Sequence, residues 1–230
     1  MSGQTKRGFF SALLDALYPP DVACALCGRE AVLGADRLCD ACRGSLTPAG
    51  KLDCPAELSG IVAAYRYAGG AREGIRALKY QNQVRLAPFF ADAISLPQGW
   101  TIDAVIPVPL HPFKQWLRSY NQSALIAESL SRRCGIPCRT DLLRRTRFTR
   151  SQTHLGAPER AANVARAFAA SPEAKGKNIL LVDDVTTTHS TILACAAALR
   201  SAGAGRIYAA CATAAAHAAK SRFSDDETDF

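Results

Sequence analysis

Residues 179–191 read Ile-Leu-Leu-Val-Asp-Asp-Val-Thr-Thr-Thr-His-Ser-Thr, and this stretch narrows the folds open to the chain more than any other. Ile179, Leu180, Leu181 and Val182 are apolar at every position, so both faces of the predicted strand must be covered. That is the pattern of a parallel α/β sheet, and such sheets bind ligands along the edge where the strands end. Asp183 and Asp184 follow at once and are expected to meet solvent just as the strand stops. Carboxylates placed there accept hydrogen bonds from a sugar diol or hold Mg²⁺ through its waters. Paired acids after a strand also occur in response-regulator-like folds and as plain strand-end solvation, so the acids alone do not decide the matter.

The next residues supply the second half of a site. Val185 is followed by Thr186, Thr187, Thr188, His189, Ser190 and Thr191, five hydroxyl side chains beside the N–H groups of an Ala-rich helix predicted over Thr191 to Ala202. Free N–H groups and hydroxyls together make a cradle for phosphate. Acids at one end and anion donors at the other suit a phosphorylated sugar. The stretch resembles the phosphoribosyl-diphosphate (PRPP) signature of type I phosphoribosyltransferases, which implies that Asp183 and Asp184 take the ribose hydroxyls and the turn takes the 5′-phosphate. His189 stands where that family usually has Gly, a residue that lets backbone approach phosphate unobstructed. Its imidazole is expected to point outward, to donate to the phosphate, or to weaken the site.

Cys24, Cys27, Cys39 and Cys42 form two CxxC pairs separated by eleven residues. Thiolates two apart can present both sulfurs to one tetrahedral ion, and two such knuckles close a structural Zn²⁺ site. Two disulfides are the competing reading, which a reducing compartment disfavours. So small a module has little core, and metal binding would supply its folding free energy. Cys54 is near enough in sequence to substitute as a ligand; Cys134, Cys138, Cys195 and Cys211 are scattered singly and read as inert thiols.

At 230 residues the chain has room for one sizeable core and a small appendage. The net charge of +8 leans toward polyanionic partners, whether nucleic acid or a diphosphate-bearing substrate. No segment approaches the roughly 20 apolar residues that span a bilayer, so no membrane insertion is expected. Residues 9–18 read as a short amphipathic helix against the body, with a membrane surface as the lesser option, and they make a poor signal peptide; a cytoplasmic location follows. The domain reading is 1–56 for the N-terminal helix and zinc module, 57–217 for the α/β domain, and 218–230 for a disordered acidic tail.

Between these landmarks, Ile61 to Ala68 reads as a strand ended by Gly69-Gly70, and two helices follow around a Gln81-Asn82-Gln83 turn. Lys79 reads as a solvated helix-end cation, with a diphosphate contact the sharper alternative. Asp103 to Pro109 is a second buried strand whose stiff end, Val108 and Pro109, is expected to face the same crevice as the acids. Ser119 is placed to cap a helix closed by Gly135, and a short strand is expected near Cys138. The most cationic segment holds Arg144, Arg145, Arg147, Arg150 and Arg160, with a long loop from Thr146 to Pro158. With Arg118, these guanidinium groups are candidates for diphosphate or nucleic-acid contacts, against a solvated basic face. A last strand is expected from Ile207 to Ala212.

Together these pieces resemble the ComF family of bacterial phosphoribosyltransferase-like proteins with an N-terminal four-cysteine zinc module. The resemblance is carried by the cysteine knuckles, Leu78-Lys79, Val108 to Leu110, Arg118 with Tyr120-Asn121-Gln122, the series Thr146, Thr149, Gln152, Leu155, Arg160, Asn163, Val164 and Phe168, and Val182 to Val185 with Thr187-Thr188. Ser119 and His189 depart from it, each at a usual glycine. The resemblance implies a type I phosphoribosyltransferase fold, PRPP with Mg²⁺ as ligand, and a part in DNA uptake during natural transformation, with single-stranded DNA and the competence helicase machinery as partners. Two functions stay open: a pentosyl-transferring enzyme with its diphosphate site beside Val108 and Pro109, and a single-stranded DNA-binding protein that keeps the PRPP site for regulation. The acceptor nucleophile has no signature in the sequence.

Overall fold

The computed structural model describes residues 22–110, 120–146 and 167–215. Its elements are α1 (Asp40–Gly44), β1 (Gly60–Arg66), α2 (Gly69–Tyr80), α3 (Leu86–Ala93), β2 (Ala104–Pro107), α4 (Gln122–Cys134), β3 (Leu143–Arg145), β4 (Phe168–Ala170), β5 (Ile179–Thr186), α5 (Ser190–Ser201) and β6 (Ile207–Ala214). Four strands pair in the order β1-β6-β5-β2, every pair parallel, and β3 and β4 form a separate antiparallel pair. Cys138 adds a parallel bridge to Val105 on the outer side of β2, where a short strand was expected.

The unbroken apolar run of β5 has the physical meaning its pattern implied. Ile179 and Leu181 pack with Ile192, Cys195 and Leu199 of α5, while Leu180 and Val182 pack with Ile75, Leu78, Phe90, Ile126 and Leu130 of α2, α3 and α4. Helices cover both faces, and each buried aliphatic side chain contributes about 1.5–3 kcal/mol. β6 repeats the alternation with small residues, Ala209 and Cys211 facing one layer and Ala210 and Ala212 the other.

Three sequence expectations are corrected. Gly69 and Gly70 open α2 and do not terminate a strand; a Cβ on Gly70 would sit 2.2 Å from Ser45 Oγ, and one on Gly74 would sit 2.8 Å from Leu26 Cδ1. The glycines let the zinc module lie directly on this helix. The cap of α4 is Asn121 and not Ser119, its side chain accepting from the Ser123 amide at 3.0 Å. Finally, β5 does not stop at Val182. It continues to Thr186 because β6 runs equally far and pairs Val185 with Thr213 and Thr186 with Ala214.

Candidate functional site

That longer strand changes the setting of the acids. Asp183 and Asp184 lie inside β5 and are 9% and 8% exposed, so they do not open freely to solvent as expected from a strand end. Asp183 Oδ1 accepts from Ser123 Oγ in the first turn of α4 and from the Asp184 amide, both at 2.9 Å. Asp184 Oδ2 is ion-paired with Lys79 Nζ at the end of α2. Lys79 is therefore not the solvated cation of the sequence reading but a partner of the site. Burial, and next the neighbouring Asp184 charge, push the Asp183 carboxyl up to about 8, against the hydrogen bond from Ser123. One ammonium serves two carboxylates among the described residues, and the charge left over is met by a proton.

Beyond the acids the chain turns sharply into α5. His189 is the N-cap residue, in the left-handed region at φ 59°, ψ 1°, and its side chain makes no capping bond to the helix. This is the backbone conformation that favours glycine, and His adopts it more readily than bulkier or branched residues. A glycine at this position could thus hold the same bend as this His. His189 Nδ1 lies 2.8 Å from Thr186 Oγ1, and Thr188 Oγ1 lies 2.6 Å from Ser190 Oγ. A hollow of about 50 Å³ remains, lined by Asp183, Val185 and every residue from Thr186 to Ile192. That is room for more than one water, bordered by the positive end of a twelve-residue helix.

β2 brings its end to the same side. Val108 donates its N–H to Val182 O at 2.9 Å, one ladder bond past Pro107, and its own carbonyl accepts from Asn121 Nδ2 at 3.0 Å. Asn121 thus caps α4 and fixes the loop holding Val108 and Pro109, while Tyr120 OH donates to Leu78 O beside Lys79. Tyr120, Asn121 and Ser123 are positioning groups to which sequence reasoning gave no contact, and Lys79 joins them in place of a solvated role. Their signal was the Tyr120-Asn121-Gln122 run next to a helix start, legible as a cap but silent on its long-range partners.

Of the proposed arginine contacts, Arg144 and Arg145 lie on β3, Arg144 exposed and Arg145 partly buried with its guanidinium 5.4 Å from the Phe168 ring centroid. Arg118, Arg147, Arg150 and Arg160 lie outside the described residues, as do Ser119 and the segments expected as an N-terminal helix and an acidic tail. The two described ends of the arginine-rich segment lie together, since Thr146 donates its N–H to Ala167 O at 2.7 Å.

The four knuckle thiols converge, all Sγ atoms within 4.8 Å of one another and those of Cys27 and Cys39 4.0 Å apart. Tetrahedral zinc with bonds of about 2.3 Å asks for sulfurs about 3.8 Å apart, and this set fits. Burial pushes the Cys24 thiol up, but backbone amides of Cys27, Cys39 and Leu26 outweigh it and hold it down to about 6, as suits a thiolate ligand. Cys54 stays outside the cluster. No helix among the described residues is long and apolar enough to cross a membrane.

A parallel sheet with acids and a hydroxyl-lined bend at its edge, carrying a four-thiol ribbon, defines a phosphoribosyltransferase-type α/β protein. A phosphoribosyl transferase domain is matched over residues 121–229 and a double zinc ribbon domain over residues 13–57. DNA utilization protein YhgH of Escherichia coli is 31% identical over 203 residues, covering 82% of this chain and 88% of that protein. Competence protein F of Haemophilus influenzae is 35% identical over 144 residues, 58% of this chain and 63% of that relative. The chain belongs to the ComF family, with competence protein F and YhgH. Among solved structures, the Bacillus subtilis glutamine PRPP amidotransferase complexed with ADP and GMP aligns at 21% identity and a TM-score of 0.37, over 55% of this chain and 25% of that one.

Proposed function

We propose that the end of β5 binds PRPP, or another phosphorylated ribose, with Mg²⁺, and that the chain serves DNA uptake as a cytoplasmic phosphoribosyltransferase-like protein. The observation that carries this reading is the buried acid pair beside an uncapped helix start: two adjacent carboxyls with one lysine between them, next to a hollow that offers N–H groups and hydroxyls. Buried groups under such electrostatic load mark functional sites more often than structural ones. In this reading, Asp183 and Asp184 accept hydrogen bonds from the ribose diol, replacing the proton and the Lys79 contact of the ligand-free state. The amides and hydroxyls from Thr186 to Thr191 hold the 5′-phosphate. Val108 and Pro109, fixed by Asn121, abut the diphosphate.

The donor set suits Mg²⁺, which takes one or two carboxylates together with substrate phosphates and would neutralise charge on a departing diphosphate. Transfer would proceed by attack of an acceptor at C1 of the ribose, the C1–O bond breaking and its electron pair leaving with diphosphate. Lys79, released from Asp184, is placed to follow that charge. Calorimetric titration of PRPP into the wild type and into Asp183→Asn/Asp184→Asn tests the site. Heat in the first and none in the second is expected; equal heats remove it.

A second reading, single-stranded DNA binding with the ribose site retained for regulation, draws on the charge of +8 and exposed Arg144. It requires oligonucleotide affinity that falls steeply with salt. Affinity unmoved by salt would count against it.

A further inference from the structure

Beside the anion-binding bend lies a second hollow, about 220 Å³, lined by Lys51, Leu52, Asp53, Arg66, Thr187 and His189 with the ends of the neighbouring strands. The fold builds it deliberately from distant segments. Ala49 N donates to Ala64 O at 3.1 Å and Arg66 N to Thr47 O at 2.8 Å, so the segment from Thr47 pairs antiparallel with β1, starting at its carboxyl end, and the chain just past Ala49 lines the hollow with Lys51, Leu52 and Asp53. Arg66 ends β1 opposite Ala214, Ala214 ends β6 opposite Thr186, and Thr186 O accepts from the Ala215 amide at 2.9 Å. Three strand ends therefore lie level, with Thr187 and His189 forming a rim shared by both hollows. Lys51, Asp53 and Arg66 are exposed, and among the described residues their side chains make no hydrogen bond or ion pair. Two cations against one carboxylate leave the recess positive, and concave surfaces focus such a field.

We propose that this hollow receives a second phosphoryl group, carried on the 5′ side of the ribose that the β5 edge binds. The inference rests on the phosphorylated-ribose reading of that edge. A phosphate seated in the bend has its ribose over Asp183 and Asp184 on one side and the Thr187–His189 rim on the other. A group bonded through that phosphate leads across the rim to Lys51 and Arg66, whose charges answer a phosphate in the way a lone 5′-monoester cannot use. A free 5′-diphosphate and the 3′-terminal nucleotide of an oligoribonucleotide both have this chemistry.

Calorimetry in Mg²⁺ buffer with AMP, ADP and the diribonucleotide pApA separates them, on the wild type and on Lys51→Ala/Arg66→Ala. Both substituted side chains are exposed, so the variant is expected to fold normally. ADP should bind about tenfold tighter than AMP, equivalent to one good charge-assisted contact, and the advantage should vanish in the variant while AMP affinity holds. The same advantage for pApA and not ADP would assign the hollow to a polynucleotide end. Equal affinities for all three, or an advantage that survives the double substitution, would overturn the inference and leave the β5 site standing. Failure of all three and of PRPP to bind would overturn both.

Discussion

The zinc knuckles and the β5 edge each gather side chains that repel one another once ionised, four thiols in one case and two carboxylates in the other, and they resolve the conflict differently. At the knuckles the geometry is complete: the four sulfurs fit one tetrahedral ion, and in the same module Arg43 is ion-paired with Asp36 and Asp40 at 2.7 and 2.8 Å. At the β5 edge the conflict is only half resolved, by one lysine, one serine and a proton. A closed site is built for stability, and an open one keeps its binding capacity for something else.

Removing the metal should therefore have the largest effect. Structural zinc contributes about 10–16 kcal/mol in zinc-finger peptides near pH 7, and here the ribbon also covers the Gly70–Gly74 face of α2. Chelation, or Cys24→Ser, is expected to unfold residues 22–46 and lower the Tm of the whole chain by more than about 10 °C. Calorimetric scans with and without chelator check this. A Tm unchanged by chelator would mean that the cysteines do not hold the module together.

At the other region, Lys79→Met should cost less and be rescued differently. Losing one partner of a buried pair costs about 3–5 kcal/mol, and the residual water contact of both side chains lowers this to about 2–3. Mg²⁺ should then stabilise the variant more than the wild type, since the acid pair has lost its counter-ion. If millimolar Mg²⁺ raises both melting temperatures equally, Lys79 and the divalent ion do not compete for Asp184.

The zinc module and β5 were legible in the sequence because each is a local pattern: cysteines two apart, an apolar run ended by acids, a crowd of hydroxyls. The parallel sheet and most element boundaries followed from such patterns. What stayed hidden was anything fixed by a second segment. The burial of Asp183 depends on β6 reaching Ala214, and its hydrogen bond on Ser123, sixty positions away. Lys79 looked like an ordinary helix-end cation because only the tertiary fold brings α2 to the acids. Ser119 was a plausible cap, but Asn121 has the longer amide and a second use for it on Val108.

Protonation gives a subtler contrast. The Asp183 carboxyl moves from an ordinary 3.8 to about 8 on folding, so the folded state keeps a proton that the unfolded state sheds. Stability from this group is complete below about pH 4 and is lost progressively as pH rises through about 8. The ligand-free Tm should fall across that window in the wild type and less in Asp183→Asn, which has no proton to lose. Parallel curves for the two proteins would place the titrating group elsewhere.

The smallest effect is expected at His189. Holding a non-glycine residue in the left-handed region costs about 1–2 kcal/mol, so His189→Gly removes strain from the bend. The same change frees the unfolded chain, which costs about 0.4–1 kcal/mol, and deletes the 2.8 Å contact with Thr186. These contributions nearly cancel, and the Tm should move by no more than a few degrees in either direction. Binding separates the roles that stability cannot. If the imidazole only occupies a glycine position, PRPP affinity rises by a few fold as the hollow opens; if it donates to the phosphate, affinity falls by a similar factor. A bend whose side chain can be removed with no change in Tm or affinity is held by its backbone alone, and the anion-binding capacity of this edge then belongs to the amides of α5.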